Sequence, residues 1–177
     1  MDYVEKALSL GATNAAIIPS EEIVFEKELR KMCEMNTCRK YNTTWTCPPA
    51  VGEVEVLEKL VKSHPYGLVI QKVHQLEDSF DFEGMQEGNR IYQQMYQKVW
   101  DMMRQQHFQK LLPLSAGGCT LCESCTYPDA PCRHPDLAVP SIEACGIYVN
   151  KTLEKVHIPY NNGEATVSYA GIIMFQP

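Results

Sequence analysis

Basic charge is scarce in this chain: 16 Lys and Arg face 22 Asp and Glu in 177 residues, for a net charge of -6. Binding to a phosphate backbone rests on clustered Lys and Arg, so nucleic acid is not the expected partner. No apolar run approaches the ~18–20 residues that cross a bilayer, so no membrane association is expected either. The opening residues Met1-Asp2-Tyr3-Val4-Glu5-Lys6 show no basic region followed by an apolar core. No secretory signal is read there, and the expected location is cytoplasmic. Also missing are a phosphate-binding loop, a dinucleotide fingerprint and any Ser/His/Asp grouping. No repeat of ~20–50 residues and no low-complexity segment is visible, which sets aside solenoids.

Cysteine, by contrast, is abundant, at eight residues. Cytosolic thiols are kept reduced, so disulfides are a poor explanation for them and metal binding is a better one. With 45% apolar and 21% charged residues, a chain of this length can bury a core unaided. Residues 1–177 are therefore read as a single cysteine-rich metal-binding domain whose cofactor serves function.

The hydrophobic pattern predicts a short helix over 2–10 and a strand over 15–19 closed by Pro19. A helix over 20–33 follows, with Ser20 as N-cap and Val24, Leu29 and Met32 among its apolar positions. Helical spacing resumes over 51–63, with Val54, Leu57, Leu60 and Val61 on one face, and a buried strand covers 66–70. The longest helix is placed at 85–108, where Ile91, Met95, Val99 and Met102 recur. A short, proline-containing edge strand at 111–114, a helix over 141–156 and a strand over 165–175 complete the chain. The order β-α-β-α-β-α-β predicts an α/β or α+β fold, a roughly four-stranded sheet covered by helices. Two cysteine-rich loops, about 33–49 and 117–145, interrupt it and are expected to meet near one edge or end of the sheet.

The later loop reads Cys119-Thr120-Leu121-Cys122-Glu123-Ser124-Cys125, then Cys132, or C-x2-C-x2-C-x6-C. Three thiolates this close suit one cubane, because each C-x2-C turn presents successive sulfurs to adjacent irons while backbone N–H groups face the cluster. The bacterial ferredoxin run begins the same way but continues C-x3-C-P, so the likeness breaks at the fourth cysteine. Gly117 and Gly118 give the loop freedom to wrap a cofactor. Zinc is the rival metal, although zinc ribbons pair two C-x2-C knuckles far apart in sequence.

The earlier loop holds Cys33, Cys38 and Cys47-Pro48-Pro49, a C-x4-C-x8-C-P-P pattern with three ligands that lacks a fourth. Cys145, read as lying near the start of the last helix, is the candidate, since a helix N-terminus lowers a thiol's pKa. Three, four and one make eight, the number that two cubanes require. In a local scheme Cys119, Cys122, Cys125 and Cys132 share one cluster, and Cys33, Cys38, Cys47 and Cys145 the other. In a swapped scheme Cys132 and Cys145 change places. The six residues and two prolines after Cys125 leave enough chain, at ~3.3 Å per residue, to favour the local one. Arg39 and Arg133, each beside a cysteine, are candidates to offset thiolate charge, and His134 is a candidate replacement ligand.

These motifs together, with Ser141-Ile142-Glu143-Ala144-Cys145-Gly146, resemble a cysteine-rich family of predicted metal-binding proteins of unknown function, iron–sulfur proteins of anaerobes. The resemblance implies metal binding by all eight cysteines and no particular substrate. The expected function is electron transfer, or service as a redox subunit, through two [4Fe-4S] clusters with a redox partner protein. The alternatives are a cluster-dependent enzyme with an open iron site and a zinc-stabilised interaction module.

Overall fold

Two long strands, β2 (Tyr66–Gln75) and β4 (Thr166–Gln176), pair antiparallel along their length, from Tyr66 opposite Phe175 to Gln75 opposite Thr166. β1 (Asn14–Pro19) and β3 (Lys110–Leu114) add antiparallel edges, giving the order β1-β2-β4-β3. The architecture is a computed structural model that describes residues 2–177. It is α+β, with the one four-stranded sheet and five α-helices.

Side chains alternate across the pleat, so each strand serves both faces. Leu68, Ile70, Ile173 and Phe175 face α1 (Tyr3–Ser9) and α4 (Phe82–Arg104), where Tyr92, Met95, Tyr96, Val99 and Met103 complete one core layer. Ile18, Val69, Ile172 and Met174 face the opposite way, toward Leu57 and Val61 of α3 (Val54–Lys62), Leu153 of α5 (Val149–Lys155), Ile142, Cys145 and Ile147. The Met and aromatic stripe of α4 is therefore core packing. No helix among the described residues is long and apolar enough to cross a membrane.

Several predicted helices are shorter than their periodicity. Ser20–Glu22 forms only a single 3-10 turn without a side-chain cap, and α2 spans just Leu29–Glu34. Between them Phe25 pairs antiparallel with Ile147; the Glu26 N–H donates to the Gly146 carbonyl at 2.8 Å and the Tyr148 N–H to the Val24 carbonyl at 2.7 Å. Backbone groups that a helix would have used internally are thus spent on tertiary pairing. Ser20 is buried and is not an N-cap, Val24 lies outside any helix, and Met32 is 66% exposed.

The same pairing removes the first half of the helix expected over 141–156. Residues 141–147 form turns, with Gly146 at φ 78°, and only Val149–Lys155 is helical. α3 begins at Val54, after Gly52 at φ 99°, and Leu60 is exposed beside the buried stripe of Val54, Leu57 and Val61. α4 starts three residues early, where Asp81 Oδ1 accepts from the Gly84 N–H at 2.8 Å, and it ends at Arg104. Phe108 lies past its end and packs on Phe175.

Candidate metal centre

The four cysteines expected to form the first group come from four places in the chain. Cys33 sits on the last turn of α2, Cys38 is exposed in the turns that follow, and Cys47 is buried before Pro48. Cys145 comes from the turns before α5 and is 1% exposed within the core layer under the sheet. Burial pushes the Cys33 thiol up, the Arg30 guanidinium opposes this, and neighbouring Cys38, Cys47 and Glu143 push it further up. Burial likewise drives the Cys145 thiol up to about 12, against Arg30, with Glu143 and Cys47 adding to the rise. Cys33 thus feels Cys38 and Cys47, Cys145 feels Cys47, and Arg30 reaches Cys33 and Cys145.

This corrects the expectation for Cys145. It is not at a helix N-terminus, and its thiol is raised, because desolvation in the core outweighs the one nearby cation. Arg30, not Arg39, is the arginine whose charge reaches Cys33 and Cys145. Its Nη2 donates to the Gly52 carbonyl at 2.7 Å, which ties α2 to the start of α3. Sequence reading passed over Arg30, although it lies one helical turn before Cys33 on the same face, the i, i+3 spacing at which side chains meet.

The second group occupies the long excursion between β3 and residue 141. The excursion opens where Ser115 bridges Ser141 in parallel, so its two ends are pinned together beside the end of β3. Cys119, Cys122, Cys125 and Cys132 line a single cavity of about 390 Å³. The Cys119 thiol is raised by burial, opposed by the Leu121 N–H, and raised further by Cys132, Cys122 and Cys125. For Cys125 burial is outweighed: the N–H groups of Tyr127, Trp45 and Thr126, with Arg133, hold its thiol below the usual value. The His134 N–H donates to Cys132 Sγ at 3.4 Å, and this exposed residue is among those lining the cavity. Arg133 Nη1 donates to the Ser124 carbonyl at 2.8 Å, which holds its cation beside Cys125.

The far wall of this cavity belongs to the first loop: Lys40, Asn42, Thr43, Thr44, Trp45 and Thr46. The two loops are fastened by the Trp45 Nε1–H, which donates to the Ala130 carbonyl at 3.1 Å, and by the Tyr127 hydroxyl, which donates to Asn42 Oδ1 at 3.0 Å. Gly118 permits the close approach, since a Cβ there would stand 2.9 Å from Lys40 Cγ. Sequence spacing alone carried no sign of this shared wall.

Eight thiols, four of which line one cavity, are a donor set that fits a thiolate-bound metal. Among the described residues no three Cys, His, Asp or Glu side chains form a group that would hold one metal ion. Four buried side-chain polar atoms of the described residues lack a partner, and three lie at the cysteine groups: Arg30 Nε, Thr44 Oγ1 and Thr46 Oγ1. An unpaired buried donor costs about 1–3 kcal/mol, so these atoms mark places where acceptors are needed.

A family model described as "Predicted metal-binding protein (DUF2284)" matches residues 16–175, a span that takes in all eight cysteines. No curated protein and no solved structure matches the chain.

Proposed function

Since the chain belongs to this family of predicted metal-binding proteins, we propose that it is an iron–sulfur protein that takes up and passes on electrons through two [4Fe-4S] clusters. Cys119, Cys122, Cys125 and Cys132 hold one cluster and Cys33, Cys38, Cys47 and Cys145 the other. The observation that supports this reading is that Cys119, Cys122, Cys125 and Cys132 line one cavity, with the His134 backbone N–H donating to Cys132 Sγ at 3.4 Å. Such N–H donors stabilise the negative charge of a thiolate-ligated cluster and so set its potential.

The clusters supply one-electron chemistry when bound, and the chain's own residues set the conditions for it. Arg30 places a cation beside the first group and Arg133 one beside the second. Both favour the reduced state, which carries an extra negative charge. Segment 40–46 leaves the first group and walls the second, so it joins the two centres through a few residues of one backbone. Eight thiolates satisfy two cubanes fully, which favours electron transfer over an open iron that binds substrate. The single-domain organisation, a cytoplasmic location and a redox partner protein belong to this same proposal.

The test is a reductive titration of protein purified without oxygen, followed by EPR. Uptake of about two electrons per chain is expected, with signals broadened by interaction between the centres. A chain with no reducible centre would overturn the reading, and two unbroadened, independent signals would place the clusters far apart.

A further inference from the structure

We propose that Met32 and Met35 form a reversible oxidation site, converted to sulfoxides by hydroperoxides and returned to thioethers by the reductases that act on methionine sulfoxide within proteins. The proposal goes beyond the electron-transfer reading and holds whatever metal the cysteines bind.

The methionines of this chain are unevenly placed. Met95, Met102, Met103 and Met174 belong to the two core layers, none more than 8% exposed, and Met85 is half-buried. Met32 and Met35 stand at 66% and 75% exposure and are the only exposed methionines among the described residues. Neither fills a gap in the core, which is the usual service of this flexible side chain. Met32 lies on α2 and Met35 is its C-cap, still in helical backbone conformation, so the i, i+3 spacing brings both to one face. At these exposures the thioether near the tip of each side chain is open to a small oxidant.

The backbone suits the return step as well. A reductase has to take the oxidised side chain into its own active site. α2 has six residues, no side-chain hydrogen bond at its N-cap and no buried residue, so this segment opens locally at little cost.

The forward step transfers one oxygen and two electrons. The thioether sulfur attacks the hydroperoxide, the S–O bond forms as the O–O bond breaks, and the remaining oxygen leaves with the proton as an alcohol. The sulfur is oxidised and the peroxide reduced. In the return step two thiols of the reductase become a disulfide and the sulfoxide oxygen leaves as water. Cys33 lies between the two methionines and Cys38 three positions after Met35. Oxidation therefore turns the surface beside these cysteines from apolar to polar, and reduction restores it.

The experiment exposes the full chain, purified without oxygen, to graded tert-butyl hydroperoxide, then maps methionine sulfoxide by proteolysis and mass spectrometry. Half of each sample first receives both methionine sulfoxide reductases, one for each sulfoxide epimer, with dithiothreitol. Met32 and Met35 are expected to oxidise about tenfold faster, or more, than Met95, Met102, Met103 and Met174, which need the fold to open. The reductases should return both to methionine in the folded chain. A chain carrying Met32→Leu and Met35→Leu, a swap that keeps volume, should take up no oxygen on methionine at the dose that saturates the pair. Oxidation of either residue no faster than the buried four overturns the proposal. Sulfoxides at 32 and 35 that the reductases remove only after denaturation also overturn it. Neither outcome depends on iron, so failure here leaves the cluster reading standing, and absence of clusters leaves this site standing.

Discussion

Trp45 and Tyr127 meet edge to face, their ring centroids 4.9 Å apart and their planes at 89°. Trp45 lies two residues before Cys47 and Tyr127 two after Cys125. One aromatic contact therefore clamps the two cysteine loops, which are far apart in sequence and share little regular structure. Hydrogen bonds from Trp45 Nε1 to Ala130 and from the Tyr127 hydroxyl to Asn42 fix the angle of the clamp.

Trp45→Ala should open the wall of the four-cysteine cavity while leaving the sheet intact. An edge-to-face pair is worth about 0.5–1.5 kcal/mol and the lost hydrogen bond about 1 kcal/mol. The expected outcome is faster bleaching of one cluster in air, with far-UV circular dichroism unchanged. Tyr127→Phe keeps the ring and should show a smaller effect. Equal bleaching rates in wild type and Trp45→Ala would remove the clamp from the account.

Gly146→Ala tests the turn that delivers Cys145 to the first group. Its φ of 78° disfavours a side chain, and a Cβ would stand 2.6 Å from Val54 Cγ1. The expected cost is about 2–4 kcal/mol from strain and overpacking, or a fall in Tm of roughly 4–16 °C for a chain of this size. Thermal unfolding checks it, and an unchanged Tm would contradict the close packing on Val54.

Cluster-free protein should distinguish two of its thiols by their pH dependence. Cys125 is held below the usual thiol value by N–H donors and Arg133, so its thiolate is populated, and its alkylation complete, at lower pH than for an ordinary thiol. Cys145, buried and pushed up to about 12, should resist iodoacetamide until the chain unfolds. Mass spectrometry after timed alkylation between pH 6 and 9, about the range in which cysteines normally titrate, reads both. Rapid modification of native Cys145 would contradict its burial.

How much of this was legible in the sequence differs between the sheet and the site. Tyr66 to Ile70 was readable as a buried strand from its dense apolar run and the 165–175 stretch from its alternation. Of the helix expected over 20–33 only Leu29–Glu34 forms, since periodicity cannot register that Phe25 is claimed by Ile147, 122 positions away. At the site the C-x2-C-x2-C spacing marks a local cluster loop by itself. The wall formed by Thr44, Trp45 and Thr46 has no spacing signal, because it depends on two irregular loops meeting in space. The same holds for Cys145, whose helix was expected to begin at Ser141. Gly146 in a left-handed turn gives it a core position instead.

The grouping of cysteines is open to double substitution. Cys47 raises the thiols of both Cys33 and Cys145, while Cys119 feels Cys132, Cys122 and Cys125. Cys145→Ala with Cys47→Ala should therefore damage a single cluster and leave about four irons per chain. Cys145→Ala with Cys119→Ala should damage both. The reverse pattern would establish that Cys132 and Cys145 are exchanged between clusters.

The most direct test of the central claim is iron and acid-labile sulfide analysis of the full chain, matured with cluster-assembly machinery present and purified without oxygen. Two cubanes demand about eight irons and about eight sulfides per chain, in brown protein. Stoichiometric zinc, with neither iron nor sulfide, would contradict it.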